Sequence, residues 1–123
     1  MVLKDLYLDI DQILATEVDE GFLEGMRNRM VVSRHKYGPI REAYPHRVNA
    51  LESLELRLRK YRQTGNTEFL IDAANFCMIE FMLPSREGAF FKATDSDQSP
   101  GRVTYMDDLP VTSAPNGGLL NKR

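Results

Sequence analysis

The fold is decided by residues 46–82, which read HRVNALESLELRLRKYRQTGNTEFLIDAANFCMIEFM. Apolar residues recur at helical spacing on both sides of the short stretch Thr64-Gly65-Asn66. Glycine commonly follows the end of a helix and asparagine commonly caps the start of one, so this stretch predicts a turn. We predict helices over about residues 46–63 and 67–82. Because the connection between them is so short, they should pack as an antiparallel hairpin.

Two further helices are predicted upstream of this hairpin. Apolar side chains recur at helical spacing in residues 2–15 and again in residues 18–36, and Gly38-Pro39 ends the second of these helices. Residues 6–11 also alternate between apolar and polar, so a short strand is a weaker alternative there. The fold class is therefore all-α, with a four-helix core. Residues 88–93 are compatible with a short strand or an extended arm, and the later residues are rich in Asp, Ser, Asn, Gly and Pro. We predict a helical domain over residues 1–93 and an irregular or extended tail over 94–123.

The composition excludes several classes of protein. The chain has 123 residues, which is the size of one domain, and 28% of them are charged. Cys77 is the only cysteine, so an internal disulfide and a zinc site with several cysteines are both excluded. The sequence has no apolar run long enough to cross a bilayer and no signal-peptide pattern. We therefore expect a cytoplasmic protein with no membrane partner.

The charges are distributed unevenly along the chain. Residues 1–26 carry seven acids and one base, whereas residues 27–62 carry ten bases and three acids. The basic segment can attract phosphate groups, or it can pair with the acidic N-terminal segment within the chain or across a dimer. Binding to duplex nucleic acid is a poorer interpretation, because the isoelectric point is only about 5.7 and no recognition motif is present.

Carboxylates on the two hairpin helices suggest a metal site. Glu52 and Glu55 lie at or within the apolar stripe of the first helix, and Glu68 and Asp72 share one stripe of the second. If the two stripes face each other, four carboxylates converge and require a cation such as Mg²⁺ or Mn²⁺. Nearby basic residues could then hold a polyphosphate, namely Arg34 and Lys36 with Arg57 or Arg59. The alternative is that each carboxylate is structural and pairs with its own arginine.

This pattern resembles a known family. The spacing Glu52-x-x-Glu55 followed by Glu68-x-x-x-Asp72-x-x-Asn75 is similar to that of the all-α, MazG-like nucleoside triphosphate pyrophosphohydrolases, particularly the small phage-encoded ones. The segment Arg34-His35-Lys36-Tyr37-Gly38 resembles their K-x-Y-G-like segment. The resemblance covers about residues 20–83. It implies hydrolysis of a nucleoside triphosphate to the monophosphate and pyrophosphate, by metal-assisted attack of water.

The resemblance also assigns roles to residues. It implies Glu52, Glu55 and Asp72 as catalytic metal ligands, and Glu68 as a fourth ligand. It implies that the substrate is bound by Arg34, Lys36, Tyr37 and Asn75. Arg59 is a further candidate for substrate binding because it is one of the nearby basic residues.

A non-catalytic function is the alternative to this hydrolase. The second motif is Glu-x-x-x-Asp and not the family's Glu-x-x-Asp, which favours a phage-type protein that binds a host protein or sequesters a nucleotide on the same fold. Helix 67–82 is apolar nearly all round, so we also expect a homodimer or higher oligomer built around it. Cys77 lies among its apolar residues and is predicted to be a core residue.

Overall fold

The computed structural model describes residues 9–95 and residue 101. The described elements are five helices, α1 (Ile10–Glu17), α2 (Glu20–Tyr37), α3 (Ile40–Ala43), α4 (Ala50–Thr64) and α5 (Glu68–Met82), and this part of the chain contains no strand. The all-α prediction is confirmed. The short helix α3 was not predicted. Residues 1–8, which include half of the predicted first helix, lie outside the described residues, as do 96–100 and 102–123, most of the predicted tail.

The chain divides into two units, residues 1–88 and residues 89–123. All five helices belong to the first unit. Residues 89–95 of the second unit form neither helix nor strand, so the strand alternative at 88–93 is wrong. No helix in the described part of the chain combines the length and the apolar character needed to cross a membrane.

Side-chain caps explain where the longer helices begin. Asp19 accepts a hydrogen bond from the backbone N–H of Phe22 over 2.7 Å at the start of α2. Asn49 accepts one from the N–H of Glu52 over 2.9 Å at the start of α4. Such bonds satisfy donors that the first helical turn leaves free. The predicted start of α4 at residue 46 is therefore wrong by four residues, because Arg47 and Val48 donate back to the carbonyl of Ala43 and form a turn instead.

The short connection predicted between the two hairpin helices is confirmed. Gly65 ends α4 with φ of 75°, in the left-handed region that glycine adopts without strain. The N-cap of α5 is Thr67 and not the predicted Asn66, and Thr67 makes no side-chain capping bond. The side chain of Asn66, one residue earlier, accepts a hydrogen bond from the N–H of Glu68 over 3.0 Å. Helix α5 packs against both α4 and α2.

The core of the described chain is small. Its buried apolar residues are Ala50, Ala73 and Ile79, and the buried polar residue is Asn75. Helix α2 approaches α5 closely at Gly25, where an added Cβ atom would lie 2.7 Å from Cδ1 of Ile71. Cys77 is exposed, so its predicted core position is wrong for the isolated chain. Helix α5, which contains Cys77, is apolar nearly all round, but neighbouring helices cover only part of its surface.

Candidate functional site

Asp72 on α5 lies between two arginines. Arg29 on α2 donates from Nε to Oδ1 over 3.1 Å and from Nη2 to Oδ2 over 3.3 Å. The Nε atom of Arg57 on α4 lies 3.5 Å from Oδ2. The Asp72 side chain is only 14% exposed, and the two guanidinium groups offset the cost of removing its charge from water. Asp72 thereby links α2, α4 and α5.

The other three predicted metal ligands lie in more exposed positions. Glu68 reaches Nη1 of Arg29 over 3.4 Å, with its side chain 55% exposed. Glu52 and Glu55 are exposed on α4 and make no ion pair with any residue that the structure describes. The prediction that Glu55 lies on the core face is wrong. The covered face of α4 consists of Ala50, Ser53, Leu54, Arg57 and Tyr61.

These carboxylates do not fit the divalent ion that the sequence suggests. Within residues 9–95 and 101, no three His, Cys, Asp or Glu side chains are placed so that they could hold a metal ion together. Both carboxylate oxygens of Asp72 already contact guanidinium groups, and a cation beside them would meet those positive charges. Dependence on Mg²⁺ or Mn²⁺ therefore stays a prediction that awaits experiment.

A cavity of about 490 Å³ lies beside Asp72. It is bordered by the second half of α2, by residues 38–48, and by the sides of α4 and α5 that face α2. Four basic and two acidic side chains line it: Arg29, Lys36, Arg47, Arg57, Glu42 and Asp72. Neither Lys36 nor Arg47 forms an ion pair with another described residue. The wall therefore carries an excess of positive charge, which favours an anionic ligand.

Aromatic rings complete the wall of the cavity. Tyr37, Tyr44 and Phe76 line it, and Cζ of Arg57 lies 5.4 Å from the centroid of the Phe76 ring. Burial raises the pKa of the Tyr44 phenol, while the positive charge of Arg57 acts in the opposite direction. The phenol is therefore neutral near pH 7 and is available as a hydrogen-bond donor.

Asn75 presents an unsatisfied acceptor at the same cavity. The side chain is buried, and its Nδ2 donates to the carbonyl oxygen of Met26 over 3.1 Å. Because that carbonyl can only accept, the orientation of the amide is fixed. Its Oδ1 atom is buried and has no hydrogen-bond partner. Buried polar atoms are almost always paired, so this unpaired oxygen is an exception among the residues that border the cavity.

The structure divides the predicted site residues into two groups. Lys36, Tyr37, Asp72 and Asn75 line the cavity. The remaining predicted residues do not line it: Glu52, Glu55, Glu68, Arg34 and Arg59.

Sequence reasoning missed Arg29, Tyr44 and Arg47, and named Arg57 only as an alternative to Arg59. The available signal was the position of Arg57, which follows Ala50 by seven residues and so shares its face of α4. No protein-family model, no curated protein and no solved structure matches this chain.

Proposed function

We propose that the protein binds a phosphate-bearing small molecule of the nucleotide class in the cavity beside Asp72. Basic side chains, and not a metal ion, hold the phosphates. The observation that carries this proposal is the cavity itself, which has a volume of about 490 Å³. Lys36 and Arg47 line its wall and form no ion pair with a described acidic residue. That volume lies within the range typical of small-molecule sites.

The phosphate end of the ligand contacts Lys36 and Arg47. Both are exposed side chains that form no ion pair with a described carboxylate. Charge-assisted hydrogen bonds to phosphate are among the stronger polar contacts in proteins. Arg29 and Arg57 contribute less directly, because Asp72 already engages them.

The base end of the ligand contacts the rings. Tyr37, Tyr44 and Phe76 offer aromatic surfaces of the kind on which nucleobases stack. The buried Asn75 side chain borders the same cavity and is held in place by its bond to Met26. These contacts favour a nucleotide over inorganic phosphate or an aliphatic phosphate.

The experiment is isothermal titration of the full chain with a panel of ribo- and deoxynucleotides and with inorganic triphosphate. Each titration is done in EDTA and again with Mg²⁺. We expect a nucleotide to bind in EDTA and to bind more tightly than inorganic triphosphate. Lys36→Gln with Arg47→Gln should weaken binding by about tenfold or more. The matched control, Lys60→Gln with Arg86→Gln, makes the same change in net charge outside the cavity and should leave the affinity unchanged.

Two results would contradict this proposal. The first is the absence of binding by any nucleotide under either condition, which would favour the interpretation as a protein that binds a host partner. The second is binding only with Mg²⁺, accompanied by release of pyrophosphate. That result would favour the pyrophosphohydrolase implied by the family resemblance.

A further inference from the structure

Four basic side chains between the end of α2 and the start of α4 have no acidic partner in the described part of the chain. We call these four residues the basic end: Arg34, Lys36, Arg41 and Arg47. All four are exposed, and none forms an ion pair with a described residue. Residues 34–47 contain a single acid, Glu42, although the whole chain has a net charge of −2. A concentrated positive region on a chain that is acidic overall attracts an anionic partner to this place.

Helix stability explains only part of the basic end. Arg34 and Lys36 lie in the last turn of α2, where the negative end of the helix dipole favours cations. Arg47 lies two residues before Asn49, the N-cap of α4. The positive end of that helix dipole disfavours a cation there, and no described carboxylate pairs with Arg47. The stability of the fold therefore does not account for the charge of Arg47.

The basic end reaches beyond the cavity of the proposed nucleotide site. Lys36 and Arg47 line that cavity, whereas Arg34 and Arg41 do not. Each of these two arginines is adjacent in the chain to a residue that lines the cavity, so both lie near its rim. A mononucleotide inside the cavity leaves Arg34 and Arg41 uncontacted. A longer polyanion that continues past the rim contacts all four basic side chains.

An exposed aromatic ring lies among these charges. Tyr37 is the last residue of α2, lines the cavity and is 78% exposed. Tyr44 and Phe76 line the same cavity and are less exposed. Proteins hold single-stranded nucleic acid with this combination, because basic side chains follow the phosphates while the bases stack on aromatic rings. The rings favour a nucleic acid over an acidic peptide, which would use the charges alone.

We infer that the basic end binds single-stranded nucleic acid, with one nucleotide in the cavity and the phosphates of its neighbours on Arg34 and Arg41. This inference rests on the proposed nucleotide site, which it extends from one nucleotide to a strand. A base enters the cavity only when it is unpaired and out of the helical stack, so a duplex is a poor ligand. Contacts to phosphates and ring faces carry little sequence information, so binding should tolerate any base.

Fluorescence anisotropy of the full chain with labelled oligonucleotides of about eight nucleotides tests this inference. Single-stranded DNA and RNA of mixed sequence are compared with the same sequence as a duplex and with competing mononucleotides, all in EDTA. We expect at least one single strand to bind about tenfold more tightly than the mononucleotide and the duplex. With about four phosphates neutralised, the logarithm of the affinity should fall against the logarithm of the salt concentration with a slope of about −3. A polyglutamate peptide that competes as well as the oligonucleotide would indicate an acidic protein partner and overturn the inference.

Substitutions outside the cavity separate the strand from the single nucleotide. Arg34→Gln with Arg41→Gln should weaken oligonucleotide binding about tenfold and make the salt slope shallower by about 1.4, while the affinity for the mononucleotide stays unchanged. The matched control, Lys60→Gln with Arg62→Gln, removes the same charge from exposed side chains toward the C-terminal end of α4 and should change neither affinity.

The possible failures are distinguishable. A single strand that binds no more tightly than the mononucleotide, or an equal loss in the two double variants, overturns the strand inference and leaves the nucleotide site in place. If neither a mononucleotide nor a strand binds, both the inference and the proposed function are wrong.

Discussion

Arg29 binds Asp72 through two hydrogen bonds that join helices α2 and α5, from Nε to Oδ1 over 3.1 Å and from Nη2 to Oδ2 over 3.3 Å. Arg57 approaches the same carboxylate from α4 over 3.5 Å. A residue that the sequence suggests as a metal ligand therefore has a structural partner on each neighbouring helix. In the described chain, the carboxylate of Asp72 balances the positive charges of Arg29 and Arg57 where α2, α4 and α5 meet.

Asp72→Asn should destabilise the fold by about 1–3 kcal/mol. The substitution removes the negative charge from a site that is only 14% exposed, leaves Arg57 without its acidic partner, and leaves Arg29 with only the exposed Glu68. Urea unfolding followed by circular dichroism at 222 nm measures this loss. The matched comparison is Glu68→Gln, which breaks a 3.4 Å pair at a side chain that is 55% exposed. It should cost less than about 1 kcal/mol. Equal stability of Asp72→Asn and the wild type would show that the ion pairs contribute nothing to folding.

Asn49→Ala tests where α4 begins. In the structure Asn49 is the N-cap and accepts a hydrogen bond from the N–H of Glu52, so its removal should cost about 0.5–2 kcal/mol. If the helix instead began near residue 46, position 49 would lie inside it. Alanine would then stabilise the helix, because it is a better helix former than asparagine. The sign of the change in unfolding free energy therefore decides between the two starts, and the matched control is Gln63→Ala, an exposed substitution in the last turn of α4.

Local signals account for what the sequence predicts correctly about the fold. Gly65 and Gly38 follow the ends of their helices, and the apolar periodicity of residues 68–82 is that of a helix. These features depend on neighbours within one turn of chain. The start of α4 was misplaced because Arg47 and Val48 bond back to Ala43, and a sequence pattern does not reveal a turn of that kind.

The candidate site was harder to predict because it depends on helix rotation. Leu51 and Leu58 suggest a core face that includes Glu55, but α5 contacts the neighbouring face, which contains Ala50 and Arg57. The two faces differ by a rotation of α4 about its own axis. Because of this rotation, Arg57 and not Glu55 lies at the contact with α5. Only the packed structure brings Arg29, Arg57 and Asp72 together, because they lie on three separate helices.

Tyr44 should ionise at higher pH than an ordinary tyrosine. Burial raises the pKa of its phenol above 10.0, and the positive charge of Arg57 only partly opposes this. The neutral phenol is favoured in the folded state. Its contribution to stability is therefore fully present below pH 10 and is lost as the pH rises through the raised folded pKa.

Absorbance at 295 nm, recorded as the folded protein is titrated with base, measures this ionisation. We expect Tyr44→Phe to remove the ionisation step that occurs at the highest pH in the titration curve. The variant should also lose less of its free energy of unfolding as the pH rises above 10. A Tyr44→Phe curve that keeps the late step would contradict the burial of this phenol.

Gly25 and Ile71 should be energetically coupled. An added Cβ at Gly25 would lie 2.7 Å from Cδ1 of Ile71, while the other two nearest carbons of that side chain are at 3.7 and 3.8 Å. Gly25→Ala gains about 0.5–1 kcal/mol in helix propensity. Moving the end of the Ile71 side chain off its rotamer costs about as much. The single variant should therefore have nearly the stability of the wild type.

Ile71→Val removes the Cδ1 atom and with it the close contact. As a single substitution, Ile71→Val should lower the free energy of unfolding by about 0.5–1.5 kcal/mol, because packing contacts are lost. In the Ile71→Val background, Gly25→Ala should show its full gain in helix propensity, so that the two substitutions together are less destabilising than their separate effects predict. Urea unfolding of the four proteins in this double-mutant cycle measures the coupling. Strict additivity would mean that α2 and α5 do not approach each other closely at this point.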